Sequence, residues 1–184
     1  MSDLNTSKYL KVVAAVVIPN IGGWLGSVIT RNNLKPWFAS LNKPKWNPPN
    51  YVFAPAWTSI YCGIGYASYL VFDELLSTGR GFDRTAQVAL ALYANQMALN
   101  WAWTPIFFKY HSLKWSAIEI VALTASAAAC GYAFGRINQV AGLLFVPYVG
   151  WLAFATYLNV SIYKKNPDQK AIANKSAAAA TKSD

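Results

Sequence analysis

Charged residues are scarce in this chain. Aspartate, glutamate, lysine and arginine make up 12% of its 184 residues, whereas a soluble domain carries about 25%. Hydrophobic residues make up 55%, and the mean hydropathy is +0.24. This composition excludes an intrinsically disordered chain, which needs low hydrophobicity and high charge. It favours a small integral membrane protein over a soluble domain.

Cysteine and histidine are also rare. The two cysteines, Cys62 and Cys130, are too few for a disulfide framework or a tetrahedral zinc site. The single histidine, His111, argues against most histidine-based metal chemistry and against Ser-His-Asp hydrolases. We therefore expect no metal site, no required cofactor and no hydrolytic centre.

What the sequence does contain is five long apolar segments. A helix needs about 20 mostly apolar residues to cross a bilayer, and the predicted spans are residues 12–29, 51–72, 85–108, 115–135 and 140–163. The fourth holds one acid, Glu119, which we expect to be exposed or paired with a lysine, and the others carry no charge. Soluble helices would show a stripe of lysine and glutamate. A cleaved signal peptide is the alternative for the first segment, which is long and lacks a clear cleavage site.

Basic residues are distributed unevenly between the two predicted membrane sides. The first loop, the third loop and the C-terminal segment share one side, with eleven: Arg31, Lys35, Lys43, Lys45, Lys109, Lys114, Lys164, Lys165, Lys170, Lys175 and Lys182. The other side has five: Lys8, Lys11, Arg80, Arg84 and Arg136. The positive-inside rule therefore predicts a cytosolic C-terminus. We expect no nucleic-acid partner, because these charges flank apolar spans.

The chain divides into one predicted domain and a tail. Residues 1–166 form the five-span domain, and residues 167–184 are low in complexity and predict a disordered cytosolic tail. Four spans contain an interior proline, at Pro19, Pro55, Pro105 and Pro147, which predicts kinked helices. Kinked helices suit a bundle that encloses a cavity, although proline is also common in membrane helices.

Polar and aromatic side chains share faces of the predicted helices. Tyr93, Gln96, Asn100, Trp103 and Phe107 recur at spacings of three or four on the third span and share one face. Trp57 and Trp151 lie deep in the second and fifth spans. Lipid cannot satisfy the hydrogen bonds of amide side chains, so Gln96 and Asn100 must face the bundle interior. Interhelical hydrogen bonding would explain them, and so would an aromatic pocket for a flat apolar ligand such as a porphyrin or sterol. His111 lies in a loop, so we expect a porphyrin to be held without an axial histidine.

Three segments carry a resemblance to a known family. They read LNKPKWNPP at 41–49 with VFAPAWT at 52–58, YANQMALNWAWTPIFF at 93–108 and PYVGWLAFATYLN at 147–159. In order along the chain, they closely resemble the TspO/translocator protein family, also called the peripheral benzodiazepine receptor family. The resemblance covers about residues 9–165.

The resemblance implies a fold, ligands and a site. It implies an all-α, five-helix membrane bundle that binds porphyrins such as protoporphyrin IX or haem, cholesterol and synthetic benzodiazepine-site ligands, and transports them. It implies the mitochondrial outer membrane in animals and the outer or cytoplasmic membrane in bacteria. The implied ligand positions are Ser27, Phe53, Ala54, Trp57, Tyr61, Gln96, Asn100, Trp115, Trp151, Ala155 and Leu158.

Two further functions stay open beside binding and transport. In bacterial members, the tryptophans that match Trp57 and Trp151 are linked to light-dependent breakdown of protoporphyrin IX, which would make the pair photochemical. A membrane scaffold is the other alternative, and a tightly packed bundle without a ligand would favour it. Small residues at helical spacing leave a homodimer open; they are Gly22 and Gly26, Ala94, Ala98 and Ala102, and Gly131 and Gly135.

The sterol motif departs from the family pattern. Leu158, Val160, Tyr163, Lys164 and Lys165 fit the general order of leucine or valine, tyrosine and a basic residue proposed for cholesterol contact. The family has tyrosine where this chain has Val160, and Tyr163 restores the pattern about one helical turn later. The shifted tyrosine makes the sterol motif a less complete match to the family than the positions implied for porphyrin binding.

Overall fold

A computed structural model describes residues 2–35, 37–79 and 81–167. Within these ranges the chain is helical and contains no β-strand. The five long helices are α1 (Ser2–Leu34), α2 (Asn50–Ser77), α3 (Arg84–Thr104), α4 (Leu113–Gly135) and α5 (Gln139–Lys165). A 3-10 turn (Phe38–Ser40) lies in the first loop, and a π-helical turn (Pro105–Lys109) continues α3. The predicted tail lies outside the described residues, apart from Pro167.

Each of the five predicted spans coincides with one helix. Three helices, at residues 6–34, 113–135 and 139–165, are long and apolar enough to cross a membrane by length and composition. Helices α2 and α3 are not among these three. Helix α1 extends well before the predicted start at residue 12; its 33 residues make it about 50 Å long.

Large apolar side chains cover the outside of the bundle. Leu25 is 67% exposed, Val146 is 64% exposed and Leu143 is 60% exposed, on two of the helices apolar enough to span a membrane. A soluble monomer rarely exposes contiguous apolar patches of this extent. The outer surface is therefore suited to contact with lipid chains.

The four interior prolines, which predict kinked helices, fall at two kinds of position. Pro19, Pro55 and Pro147 lie inside α1, α2 and α5, which continue through them. Pro105 stands where the α-helical hydrogen bonding of α3 gives way to the π-helical turn. Because proline has no N–H to donate and its ring crowds the preceding turn, a change of helical register there is expected. That turn places the consecutive residues Phe107 and Phe108 both in the interior.

The helices form a ring in the order α1, α2, α5, α4 and α3, which closes where α1 meets α3 and the π-helical turn. Glycines permit the closest approaches. A Cβ atom on Gly65 of α2 would lie 2.6 Å from the carbonyl oxygen of Ala15 and 2.7 Å from Cα of Val16, so α1 and α2 touch backbone to backbone there. The Gly22–Gly26 pair packs on Trp101 and Thr104, and the Gly131–Gly135 pair packs on α5. Both glycine pairs therefore serve contacts within this chain.

Two apolar clusters fill the ring. The larger contains Tyr61, Phe134, Phe145 and Tyr148, and the smaller contains Phe38, Phe107, Phe108, Leu158 and Ile162. The smaller cluster lies where α1, α3 and α5 end and α2 and α4 begin. Side chains from both clusters line the cavity of the candidate functional site.

Candidate functional site: an aromatic cavity

A cavity of about 430 Å³ lies at the end of the bundle that carries the first loop, the third loop and the end of α5. All five helices line it. Apolar and aromatic side chains form most of the wall, among them Phe53, Trp57, Trp103, Phe107 and Leu158. A cavity of this volume accepts a ligand of moderate size, and its chemistry suits a mostly apolar one.

Eight of the predicted ligand residues line this cavity; they are Ser27, Phe53, Ala54, Trp57, Tyr61, Asn100, Ala155 and Leu158. Trp151 stands behind the wall. Its ring lies 6.3 Å from that of Trp57 at an interplanar angle of 90°, and 6.0 Å from that of Phe53. Trp151 therefore supports two lining rings from behind.

Gln96 and Trp115 lie away from the cavity wall. Gln96 is fully buried beneath it and is connected to it through hydrogen bonds. Trp115 is 63% exposed on the outside of α4, where its ring lies 6.0 Å from the Lys114 ammonium. An exposed tryptophan beside a lysine near a helix end is typical of a membrane-interface residue.

A hydrogen-bond chain links the cavity to the core. The Tyr61 hydroxyl donates to Oδ1 of Asn100 at 2.5 Å, and Nδ2 of Asn100 donates to the Tyr148 hydroxyl at 2.9 Å. The Tyr148 hydroxyl donates in turn to Oε1 of Gln96 at 2.8 Å. These hydrogen bonds join three helices, α2, α3 and α5. The network therefore combines both interpretations of the amides, which are interhelical hydrogen bonding and a pocket wall.

Two buried donors of the cavity wall have no partner among the described residues. They are the indole N–H of Trp103 and the Nδ2 group of Asn159, whose Oδ1 accepts a hydrogen bond from Ser116 at 3.3 Å. A buried donor without a partner costs about 1–3 kcal/mol. A ligand with an acceptor atom in this cavity would recover part of that cost.

The first loop closes one end of the cavity, where its residue Phe38 lines the wall. Asn166, just after α5, holds this loop: its Oδ1 accepts from the backbone N–H of Asn42 at 2.9 Å, and its Nδ2 donates to the carbonyl of Asn42 at 2.9 Å. The Lys43 ammonium donates to the carbonyls of Phe38 at 2.7 Å and Leu41 at 3.0 Å. Burial lowers the pKa of Lys43 from its ordinary value. The loop is therefore fixed at both its middle and its contact with α5.

His111 contributes to the same end of the bundle but not to the cavity wall. Its ring stacks on Trp37 at 4.1 Å, and Nε2 lies 3.0 Å from Oδ1 of Asn33. The histidine thereby joins the third loop to the end of α1. Burial lowers its pKa, and a hydrogen bond to the backbone of Phe108 opposes that shift.

Sequence reasoning was wrong about Glu119. Its side chain is half-buried, and both carboxylate oxygens are buried without a hydrogen-bond partner among the described residues. Several residues of the cavity wall were not among the predicted ligand positions: Asn20, Arg31, Trp103, Thr104 and Phe107. The helical spacing does place Trp103 and Phe107 on the same face of the third span as Asn100, and all three line the cavity. Arg31 looked like an ordinary loop cation by its position alone.

Comparison with known proteins agrees with the quoted segments. The model of the TspO/MBR family matches residues 15–164. The chain belongs to the TspO/MBR family. The family assignment and the apolar helices together make this an integral membrane protein of the translocator family.

Relatives occur in animals, bacteria and archaea. The chain is 39% identical to a translocator protein of Bos taurus over 158 residues, which is 86% of this chain and 91% of the relative. It is 37% identical to protein CrtK of Rhodobacter capsulatus over 136 residues, or 74% of this chain and 82% of the relative. It is 33% identical to the tryptophan-rich protein TspO of Archaeoglobus fulgidus over 157 residues, or 85% and 97%.

Proposed function

We propose that this TspO/MBR family member binds porphyrins such as protoporphyrin IX or haem, and also cholesterol, and takes part in their transport across a membrane. The observation that carries the proposal is the 430 Å³ cavity with aromatic walls, a few amides and two unpartnered donors. Aromatic faces stack on flat rings, and the donors can meet acceptor atoms at the ligand edge. Synthetic benzodiazepine-site ligands would occupy the same cavity.

The proposed topology has five spans. The C-terminus lies in the cytosol, and the cavity end of the bundle faces the same side. This topology is supported by the five long helices and by the cations of the described residues at that end: Arg31, Lys35, Lys43, Lys45, Lys109, Lys114, Lys164 and Lys165. We place the protein in the mitochondrial outer membrane if the source is eukaryotic, and in a bacterial outer or cytoplasmic membrane otherwise. A homodimer would use outer surfaces such as that of α3, since the glycine pairs are occupied within the chain.

The sterol motif is divided between two sides of α5. Leu158 lies in the cavity wall, whereas Val160 and Tyr163 are half-buried outside it and Lys164 and Lys165 are exposed. A sterol that follows the motif would therefore contact the outer face of α5 near the membrane surface. Such a site would share only Leu158 with the wall of the proposed porphyrin cavity.

Binding can be tested by titrating the purified full-length protein with protoporphyrin IX and with cholesterol side by side. We expect the porphyrin to quench the tryptophan fluorescence of the wild type. We expect a Trp57→Ala, Trp151→Ala double variant to bind the porphyrin more weakly, as measured by the change in porphyrin absorbance. A Tyr132→Ala variant is the control, because Tyr132 is 71% exposed on α4 and far from the cavity wall. Equal porphyrin affinity in the double variant and the control would reject the cavity as the site.

Light-dependent porphyrin degradation is a second candidate function. It is favoured by the contact between Trp57, which lines the cavity, and Trp151 at 6.3 Å behind it. Molecular oxygen would be the oxidant and the porphyrin the molecule oxidised. Illumination of the complex should give a new absorbing species with the wild type and less of it with Trp151→Phe. Identical bleaching of free and bound porphyrin would rule this function out.

A scaffold function receives less support from the structure. A tightly packed bundle without a cavity would favour a scaffold function. The bundle instead encloses a cavity of about 430 Å³. The ligand-binding proposal is therefore preferred.

A further inference from the structure

One residue of the cavity wall carries a charge. Arg31 is the only charged side chain among the described residues that line the cavity, and every other lining residue is apolar or uncharged polar. No carboxylate of the described residues shares the wall with it. The cavity therefore offers a single fixed positive charge to whatever it contains.

The guanidinium group of Arg31 has no hydrogen-bond or ion-pair partner among the described residues. The acids Asp73, Glu74 and Asp83 lie at the opposite end of the bundle, around the junction of α2 and α3. Glu119 is the one acid on the cavity half of the described chain, and its oxygens are buried away from any partner. Arg31 is thus available to an outside anion.

The position of Arg31 relates it to the opening of the cavity. In the part of the chain that the structure describes, six lining residues are exposed, and all of them lie on α1 or α2: Trp24, Ser27, Arg31, Asn50, Ala54 and Thr58. The first three and the last three each recur at helical spacing, so they form the two edges of a slot between the antiparallel helices. Arg31 lies at the loop end of this slot, and Trp24 lies about two turns deeper.

We propose that Arg31 binds a carboxylate of an amphipathic ligand whose apolar body fills the aromatic cavity. This inference rests on the proposed function and narrows it to flat apolar molecules that carry an acid, in preference to neutral ones. A guanidinium group presents two parallel N–H donors that match the two oxygens of a carboxylate. With the acid held at the loop end of the slot, the ring system would extend inward toward Trp57 and Trp103.

An interface anchor is the simpler role for an arginine near the end of a membrane helix. An anchor would interact with lipid headgroups and would not distinguish an acidic ligand from its ester. Esterification removes the negative charges of a porphyrin and keeps its ring system. The comparison of acid and ester therefore separates the two roles.

The experiment uses the full-length protein in nanodiscs of phosphatidylcholine, which carries no net charge. Protoporphyrin IX and its dimethyl ester are titrated against the wild type, Arg31→Gln, Arg31→Lys and Lys35→Gln. Lys35 is the matched control because it is exposed one turn later and does not line the cavity. Thermal unfolding of each variant without ligand checks that the fold is retained.

We expect the wild type to prefer the diacid about tenfold, a typical effect of one charge-assisted hydrogen-bonded pair. Arg31→Gln should reduce this preference to near one, Arg31→Lys should keep part of it, and Lys35→Gln should leave it unchanged. An equal preference in the wild type and Arg31→Gln, or an equal loss in Lys35→Gln, would overturn the role of Arg31 while porphyrin binding stands. If the wild type binds neither porphyrin, the proposed function fails and the inference fails with it.

Discussion

The hydroxyl of Tyr148 lies 2.8 Å from Oε1 of Gln96, and both side chains are fully buried. The same hydroxyl accepts from Asn100 at 2.9 Å, so one phenol satisfies amides at two levels of α3. Tyr148 is therefore the central member of the network that joins α2, α3 and α5.

Replacing Tyr148 with phenylalanine should destabilise the bundle. The change removes the hydroxyl but leaves the Asn100 donor and the Gln96 acceptor buried, at a cost of about 1–3 kcal/mol for each group left unpaired. Thermal unfolding in one fixed detergent measures the effect. Tyr132→Phe is the matched control, since Tyr132 is 71% exposed. A Tyr148→Phe melting temperature equal to that of the control would contradict the importance of this network.

Gly65→Ala should destabilise the protein, whereas Gly63→Ala should not. A methyl group at Gly65 would meet the backbone of Ala15 and Val16 of α1, which cannot move aside as a flexible side chain would. On the same helix, a methyl group at Gly63 would meet no atom of the described residues within 4 Å beyond the adjacent backbone of α2 itself. Alanine there should stabilise α2 by up to about 1 kcal/mol.

The pair of glycine variants is compared by thermal unfolding under identical conditions. We expect a lower melting temperature for Gly65→Ala and an equal or higher one for Gly63→Ala. A drop of similar size in both would mean that the loss at Gly65 reflects helix α2 in general and not its contact with α1.

Acid should weaken the fold through His111. Burial lowers its pKa in the folded state below the ordinary value of 6.5. Between the folded and the unfolded pKa the unfolded chain binds more protons, so stability is lost as the pH falls through about 6.5. His111 also has a φ of 50°, a conformation that asparagine tolerates well.

The measurement for His111 is the melting temperature at several pH values from 7.5 to 5 for the wild type and His111→Asn. The variant loses the stacking on Trp37 and should be less stable at neutral pH, but its melting temperature should fall less on acidification. Parallel pH profiles for the two proteins would show that another group controls the acid response.

The first loop should loosen when Asn166 is replaced by alanine. This removes both hydrogen bonds to Asn42 and the bond from Nδ2 to the carbonyl of Ile162 at 2.8 Å. Faster hydrogen exchange of the amides around residues 38–47 is expected, with the exchange of α4 unchanged. Unaltered exchange in the loop would show that Lys43 alone suffices to hold it.

The sequence predicted the helices well because their signals are local. Five apolar segments, four of them without a charge, mark the helices, and the spacing of Gln96 and Asn100 identifies an interior face. Eight of the eleven positions implied by the resemblance line the cavity. Membrane crossing by α2 and α3 stays a prediction. The tail is also still a prediction, since it lies almost wholly outside the described residues.

What could not be predicted depends on how helices meet. Trp115 and Trp151 have the same side chain, and only packing puts one on the outer surface and the other behind Trp57. Glu119 is near a span end, where exposure is the ordinary outcome, yet its oxygens are enclosed. The importance of Arg31 arises from the slot between α1 and α2, which no periodicity within a single helix reveals.

The slot between α1 and α2 also determines how affinity must be expressed. In the proposed five-span topology it faces acyl chains, so an apolar ligand would first partition into the bilayer and then enter sideways. The concentration that governs occupancy is then the mole fraction of ligand in lipid, not its concentration in water. Apparent affinities should therefore weaken in proportion as more lipid or detergent dilutes the same amount of ligand, even though the protein is unchanged.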